Sequence, residues 1–169
     1  MFSTSLGLAC MLSLLPLAAF AQGPSVGVQP YTFIAPGTVA GGEAIGTITH
    51  VGGGADVIHR SGLGGGAELG YVGSFPDGFD YGIGLLSFSG SYRWLHGSPV
   101  VPFVNGGLTS VVFRSSGFAW HAGGGIDYWL RDRFGLRLEL RDHLPFGENA
   151  HLWGARIGVT WAPGGRVAK

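Results

Sequence analysis

Sulfur and charge are what this sequence has least of. Its one cysteine, Cys10, and both methionines, Met1 and Met11, lie within the first 21 residues. Beyond that point neither a disulfide nor a thiolate-bound metal can hold the chain together. Only 12% of residues are charged, ten acids balance ten bases, and Lys169 is the single lysine. That leaves no electrostatic footprint for nucleic acid and no polybasic patch for an anionic membrane surface. A disordered chain is excluded from the other side, because disorder needs high charge with little hydrophobicity and 46% of this chain is hydrophobic. Helical periodicity is missing from residue 22 onward.

Glycine is what the sequence has in excess. There are 33 glycines in 169 residues, with no G-x-y period that would signal collagen. Glycine at this density opposes helices. The expectation is one all-β domain in which something other than a solid apolar core makes glycine useful.

Residues 1–21 carry no charged side chain, run through Leu6, Leu8, Met11, Leu12, Leu14 and Leu15, and end in the small-x-small pattern Ala19-Phe20-Ala21. This reads as a cleavable signal peptide. A membrane-spanning helix fits less well, since the apolar run falls short of about 18 residues and Pro16 interrupts it. Cys10 lacks the leucine three positions before it that a lipidation box needs. The expected organisation is a signal peptide (1–21), a β-barrel (22–161) and a short C-terminal tail (162–169).

An internal repeat sets the strand count. At an offset of 71 residues, His50-Val-Gly-Gly-Gly-Ala-Asp56 aligns with His121-Ala-Gly-Gly-Gly-Ile-Asp127, and Arg60, Gly64, Glu68 and Leu69 meet Arg131, Gly135, Glu139 and Leu140. Each copy is two alternating segments around a tight polar turn, the pattern of a β-hairpin. Two further strands fit between the copies, one before and one after. The predicted strands are 28–35, 45–58, 62–73, 81–93, 100–113, 118–130, 133–143 and 151–161. An even number of strands linked by short turns is an up-and-down meander, and closing it into a barrel removes both edges. Tilted strands of about 9–11 residues also suit a bilayer.

The faces of these strands separate a membrane barrel from a soluble one. Phe134, Leu136, Leu138 and Leu140 share one face of 133–143, while Gly135, Arg137, Glu139 and Arg141 share the other. In 151–161, Trp153, Ala155, Ile157 and Val159 oppose Gly154, Arg156 and Gly158. Large apolar residues thus fall on one face, and glycine mixed with a few charges on the other. A soluble ligand-binding barrel would need bulky apolar residues on its concave face. A narrow eight-stranded lumen instead needs small residues beside a few long ones that pair. Because unpaired buried charges cost several kcal/mol each, Asp56, Glu68, Asp127 and Glu139 are expected to meet Arg137, Arg141 and Arg156 inside. Trp153, His151 and Phe146 near one end, with Trp161, Trp94, Tyr92 and Trp129 near the other, are placed as interfacial aromatic belts would be.

The stretch from His121 to His143 resembles the penultimate hairpin of small bacterial outer-membrane β-barrel proteins, the broad OmpA/OmpX-like porin superfamily, and Arg156-Ile-Gly158-Val-Thr-Trp161 matches in part the terminal insertion signal usual in that group. The resemblance covers nearly all of the chain after residue 21. It implies an eight-stranded antiparallel transmembrane barrel in the outer membrane, exported through its signal peptide, inserted by the barrel assembly machinery and surrounded by outer-membrane lipid, with both termini periplasmic. This sequence continues for eight residues past Trp161 and has no room for a periplasmic peptidoglycan-binding domain.

Chemistry was sought in the same residues. Lipid A deacylase barrels use a His-x-Ser pair with a carboxylate, because the histidine must activate the serine at close range. His59-Arg-Ser61 and His96-Gly-Ser98 have that spacing, yet both fall in turns expected on the periplasmic side, away from an outer-leaflet substrate. His50 and His121, at equivalent repeat positions, are expected as lumen histidines hydrogen-bonded to Asp rather than as metal ligands. The glycine runs lie within strands and open no helix, so they form no phosphate loop. No catalytic residue, cofactor, metal or nucleic-acid partner is expected. The predicted outer loops (36–44, 74–80, 114–117 and 142–150) are short, and Pro-Asp-Gly (76–78) and Pro-Phe-Gly-Glu-Asn (145–149) read as turns. The function expected is structural, in membrane integrity, with a narrow porin-like pore as the alternative and a lipid A-modifying enzyme third.

Overall fold

Alternation of apolar with small or polar side chains, clearest over 134–141 and 153–161, favours strands. The computed structural model describes residues 25–40, 46–73, 82–94, 97–113, 115–147 and 150–166. The expected signal peptide and residues 74–81 lie outside them. Eight strands follow one another: β1 (Val26–Ala40), β2 (Gly46–His59), β3 (Leu63–Gly73), β4 (Ile83–Arg93), β5 (Val100–Phe113), β6 (Gly117–Arg131), β7 (Phe134–Pro145) and β8 (His151–Trp161). Each pairs antiparallel with the next, and β8 returns to β1, closing the barrel. The start of β1 and the end of β8 lie at one end, here the terminal end; the opposite end is the loop end.

Two strands outrun their predicted ends. β1 runs on from 35 to Ala40 through Pro36, and β7 from 143 to Pro145. Proline is tolerated where the ladder asks nothing of its missing N–H. Pro30 precedes the first β1–β8 pair, Tyr31 with Thr160, and Pro36 lies in the gap of that ladder between Ile34 and Gly37. Pro102 lies just beyond the last β4–β5 pair, Arg93 with Phe103. The β2–β3 turn needs Gly62, whose φ of 90° and close approach to the Arg93 carbonyl would both strain a side chain.

Polarity is inverted relative to a water-soluble barrel. Leu138, Leu140, Phe88, Trp120 and Ile157 are exposed on the outer wall, while Asp127, Arg137, Arg93 and Thr160 are among the most buried side chains. Such an outer surface suits hydrocarbon, and such a lumen needs partners for its charges. Trp129 does not join the aromatic belt: it points into the lumen, as its phase with Asp127 predicts, and packs with Val101 and Ala162 at the terminal end.

Candidate functional site

The lumen is a two-tier lattice of ion pairs. In the lower tier, nearer the terminal end, Asp56 of β2 and Asp127 of β6 approach from opposite walls. Arg137 of β7 joins them: Nε donates to Asp127 Oδ1 at 2.8 Å and Nη2 to Asp56 Oδ2 at 3.0 Å. Arg93 of β4 donates to Asp56 through Nη2 and brings Nε to 3.5 Å from Asp127, near enough for attraction but without hydrogen-bond geometry. Gln29 completes the tier by donating to Asp127 Oδ2 at 2.8 Å.

The upper tier repeats the arrangement with glutamates. Arg141 donates through Nε to Glu139 Oε1 at 2.6 Å and through Nη1 to Glu68 Oε2 at 3.2 Å. Arg156 grips Glu68 with both terminal nitrogens, Nη1 to Oε2 at 2.7 Å and Nη2 to Oε1 at 2.8 Å, the fork geometry that favours arginine over lysine. Tyr31 donates to Glu68 Oε2 at 2.9 Å, and Asn105 Nδ2 to Glu139 Oε1 at 2.9 Å. Four arginines thus face four carboxylates, and the lattice is internally neutral.

Aromatic rings and glycines make the lattice possible. Arg137 lies over Tyr31 at 4.2 Å and over Phe103 at 4.8 Å, and Arg156 lies over Phe33 at 3.9 Å. In a desolvated site such cation–π contacts contribute on the order of 2 kcal/mol each. Positions 66 and 70 are the counterparts, 71 residues earlier, of Arg137 and Arg141, and both are glycine. A Cβ at Gly66 would strike the Asp56 carboxylate, and one at Gly70 the His50 ring. One copy of the repeat therefore vacates the space that the arginines of the other copy fill.

The structure places all seven sequence-selected residues, Asp56, Glu68, Asp127, Arg137, Glu139, Arg141 and Arg156, in this lattice. Sequence reasoning missed Arg93, Gln29, Tyr31 and Asn105. Arg93 was findable, since Ser87, Ser89 and Ser91 alternate with it on a small-residue face. Tyr31 was not, because β1 reverses the rule and turns its aromatic residues inward.

The histidines depart from expectation. His50 Nδ1 meets Arg156 Nη2 at 3.3 Å and His121 Nδ1 meets Thr109 Oγ1 at 3.0 Å, so neither bonds an aspartate. Each lies six residues along its strand from the repeat's aspartate, His50 from Asp56 and His121 from Asp127, which puts the glutamate tier between histidine and aspartate. With His143 they form a ring cluster at the loop end, His143 lying 6.0 Å from His50 and 5.7 Å from His121 between centroids. Cavities of about 20 Å³ above the lattice and about 30 Å³ below it are each about the size of one or two waters. In the wall of the lower cavity, Arg166 of the tail donates to the Ser98 carbonyl at 2.8 Å and lies over Trp129 at 5.6 Å.

His59 Nδ1 and Ser61 Oγ are 2.9 Å apart in the exposed β2–β3 turn. The same nitrogen accepts the Ser61 N–H at 3.2 Å, and among the described residues no carboxylate is hydrogen-bonded to His59. This is a turn contact. His96 lies outside the described residues.

A closed eight-stranded antiparallel barrel is a fold of small outer-membrane proteins, and comparison with solved structures bears the fold out. Neisserial surface protein A matches with a TM-score of 0.67 at 15% identity, over 83% of this chain and 99% of that one. The N-terminal β-barrel domain of Pseudomonas aeruginosa OprF matches with a TM-score of 0.60 at 17% identity, over 83% and 99%. A de novo designed transmembrane β-barrel matches at 0.56 and 15% identity, over 84% and 98%. No family model matches the chain, and no curated protein matches it by sequence. At these identities the likeness is one of fold, and the designed barrel illustrates that the fold by itself specifies no activity.

Proposed function

We propose that the protein is a non-enzymatic structural component of the bacterial outer membrane, a barrel whose lumen is filled rather than open. In this reading residues 1–21 direct export and are removed. The barrel assembly machinery then inserts the remainder, with the terminal end periplasmic and outer-membrane lipid around the wall. The observation that carries the proposal is the lattice itself. Four buried arginines and four buried carboxylates cross-link opposite walls, and parting them would expose unpaired charge at a cost of several kcal/mol each. A permeation path would need that rearrangement for every solute. The outer-membrane likeness of the fold supports the location. Fractionation with the outer membrane and heat-modifiable migration on detergent gels test the location; purification as a detergent-free monomer would overturn it.

A further inference from the structure

Above the upper tier, toward the loop end, the lumen keeps its cavity of about 20 Å³. Four polar residues line it, Arg141, Arg156, His50 and His143, and the rest of the described lining, Val72 and Leu85 included, is apolar or glycine. Neither Glu68 nor Glu139, the carboxylates that hold the two arginines, reaches it. The lattice is neutral as a whole, yet toward this cavity it turns only its cations.

Three nitrogens on the lining are left unspent. Arg141 gives Nε to Glu139 and Nη1 to Glu68, so Nη2 has no acceptor among the described residues. Arg156 gives both terminal nitrogens to Glu68, and its Nε has none either. His143 is 7% exposed and hydrogen-bonds through neither ring nitrogen; its Nε2 is fully enclosed, whereas Nδ1 is not, and neither are Arg141 Nη2 and Arg156 Nε. Buried polar groups without a partner are rare, and leaving one unmet is costly. His50 supplies wall only, because its Nδ1 accepts from Arg156 Nη2 at 3.3 Å and its Nε2 is enclosed.

The chemistry of these atoms selects the ligand. Guanidinium N–H groups only donate, and His143, with no competing partner, is able to carry its proton on Nδ1. A metal ion would be repelled by both guanidiniums, and among the described residues no cluster of His, Cys, Asp and Glu could hold one. A water must place its own hydrogens as well as accept, and no free side-chain acceptor lines the cavity once Nδ1 donates. Phosphate is too large for a space of one or two waters. What fits is an ion that only accepts and is about as large as a water.

We propose that this cavity is a halide site, holding one chloride ion on Arg141 Nη2, Arg156 Nε and His143 Nδ1. All three donors belong to β7 and β8, so the ion ties together the hairpin whose second strand closes the barrel on β1.

The test uses the full barrel folded in detergent micelles and equilibrated in sodium gluconate, whose anion is too large for the cavity. Urea unfolding is followed as chloride replaces gluconate at constant ionic strength. Beyond half occupancy, the unfolding equilibrium constant should fall about tenfold for each tenfold rise in chloride. Val72→Phe, which fills the cavity, should show no chloride dependence. His143→Phe, which keeps a ring and loses the donor, should need several-fold more chloride for the same effect. Leu85→Phe replaces Val72→Phe if the latter loses heat-modifiable migration. Crystals grown in bromide should show one anomalous peak in the cavity. Equal chloride dependence in wild type and the filled variant would overturn the proposal, since exposed arginines such as Arg60 and Arg133 would then account for it. No dependence in wild type would also overturn it: a bromide peak would then mark an adventitious ion only, and its absence a water.

Discussion

Asp56 and Asp127 stand 71 positions apart in sequence, face each other across the lumen and both accept hydrogen bonds from the guanidinium of Arg137. Glu68 and Glu139 stand in the same relation and share Arg141. A hairpin repeat four strands on in an eight-stranded barrel lands on the opposite wall, so identical residues meet near the axis. Two carboxylates alone would repel there. The second copy therefore places arginine where the first keeps glycine.

Removing the shared cation should be costly. Arg137→Met leaves Asp127 and Asp56 buried with less compensation, and the expected loss is about 3–5 kcal/mol. Urea unfolding in detergent micelles measures it. Adding Asp56→Asn and Asp127→Asn to Arg137→Met should recover part of that loss; if the triple variant is less stable than the single one, the shared-cation description is wrong.

Glycines on the two faces should respond with opposite sign. Gly125→Ala drives a methyl group into the Leu138 carbonyl and should destabilise by about 1–3 kcal/mol. Gly65→Ala meets only ordinary contact and should be neutral or stabilise by up to about 1 kcal/mol. Equal destabilisation of both in the same unfolding assay would contradict the assignment of faces.

Much of this was readable in the residues themselves. Period-two alternation is unbroken from Phe134 to Arg141 in β7 and from Trp153 to Trp161 in β8, so the charged face and the apolar face separate on inspection. The repeat located four carboxylates at once. β1 was less legible for a physical reason: its inward residues Tyr31, Phe33 and Ala35 are those that elsewhere would face lipid, and Tyr31 and Phe33 turn inward to lie under Arg137 and Arg156, with Ala35 clustered beside them. Its length was hidden by Pro36, which ordinarily ends a strand and here sits in a ladder gap. Asp142 fell where the predicted strand 133–143 and the predicted loop 142–150 overlap, and nothing local announces an aspartate on an outer wall. Its partner His151 comes from the next strand.

The tail should behave as a cover for Trp129 and not as the seal of the barrel. Arg166→Ala, or truncation after Trp161, removes the cation over the indole and, in the truncation, the Ala162 contact. Quenching of fluorescence by iodide should rise in both variants, by more in the truncation, while the unfolding midpoint changes little. An unchanged quenching profile would show that the tail does not shield the ring.

Conductance across a planar bilayer tests the filled lumen most directly. Wild-type protein, inserted and verified by heat-modifiable migration, should give no discrete open-channel steps, because the Asp56–Arg137–Asp127 and Glu68–Arg141–Glu139 bridges span the lumen. Steady, ohmic single-channel steps from the wild-type barrel would contradict the account and establish the pore.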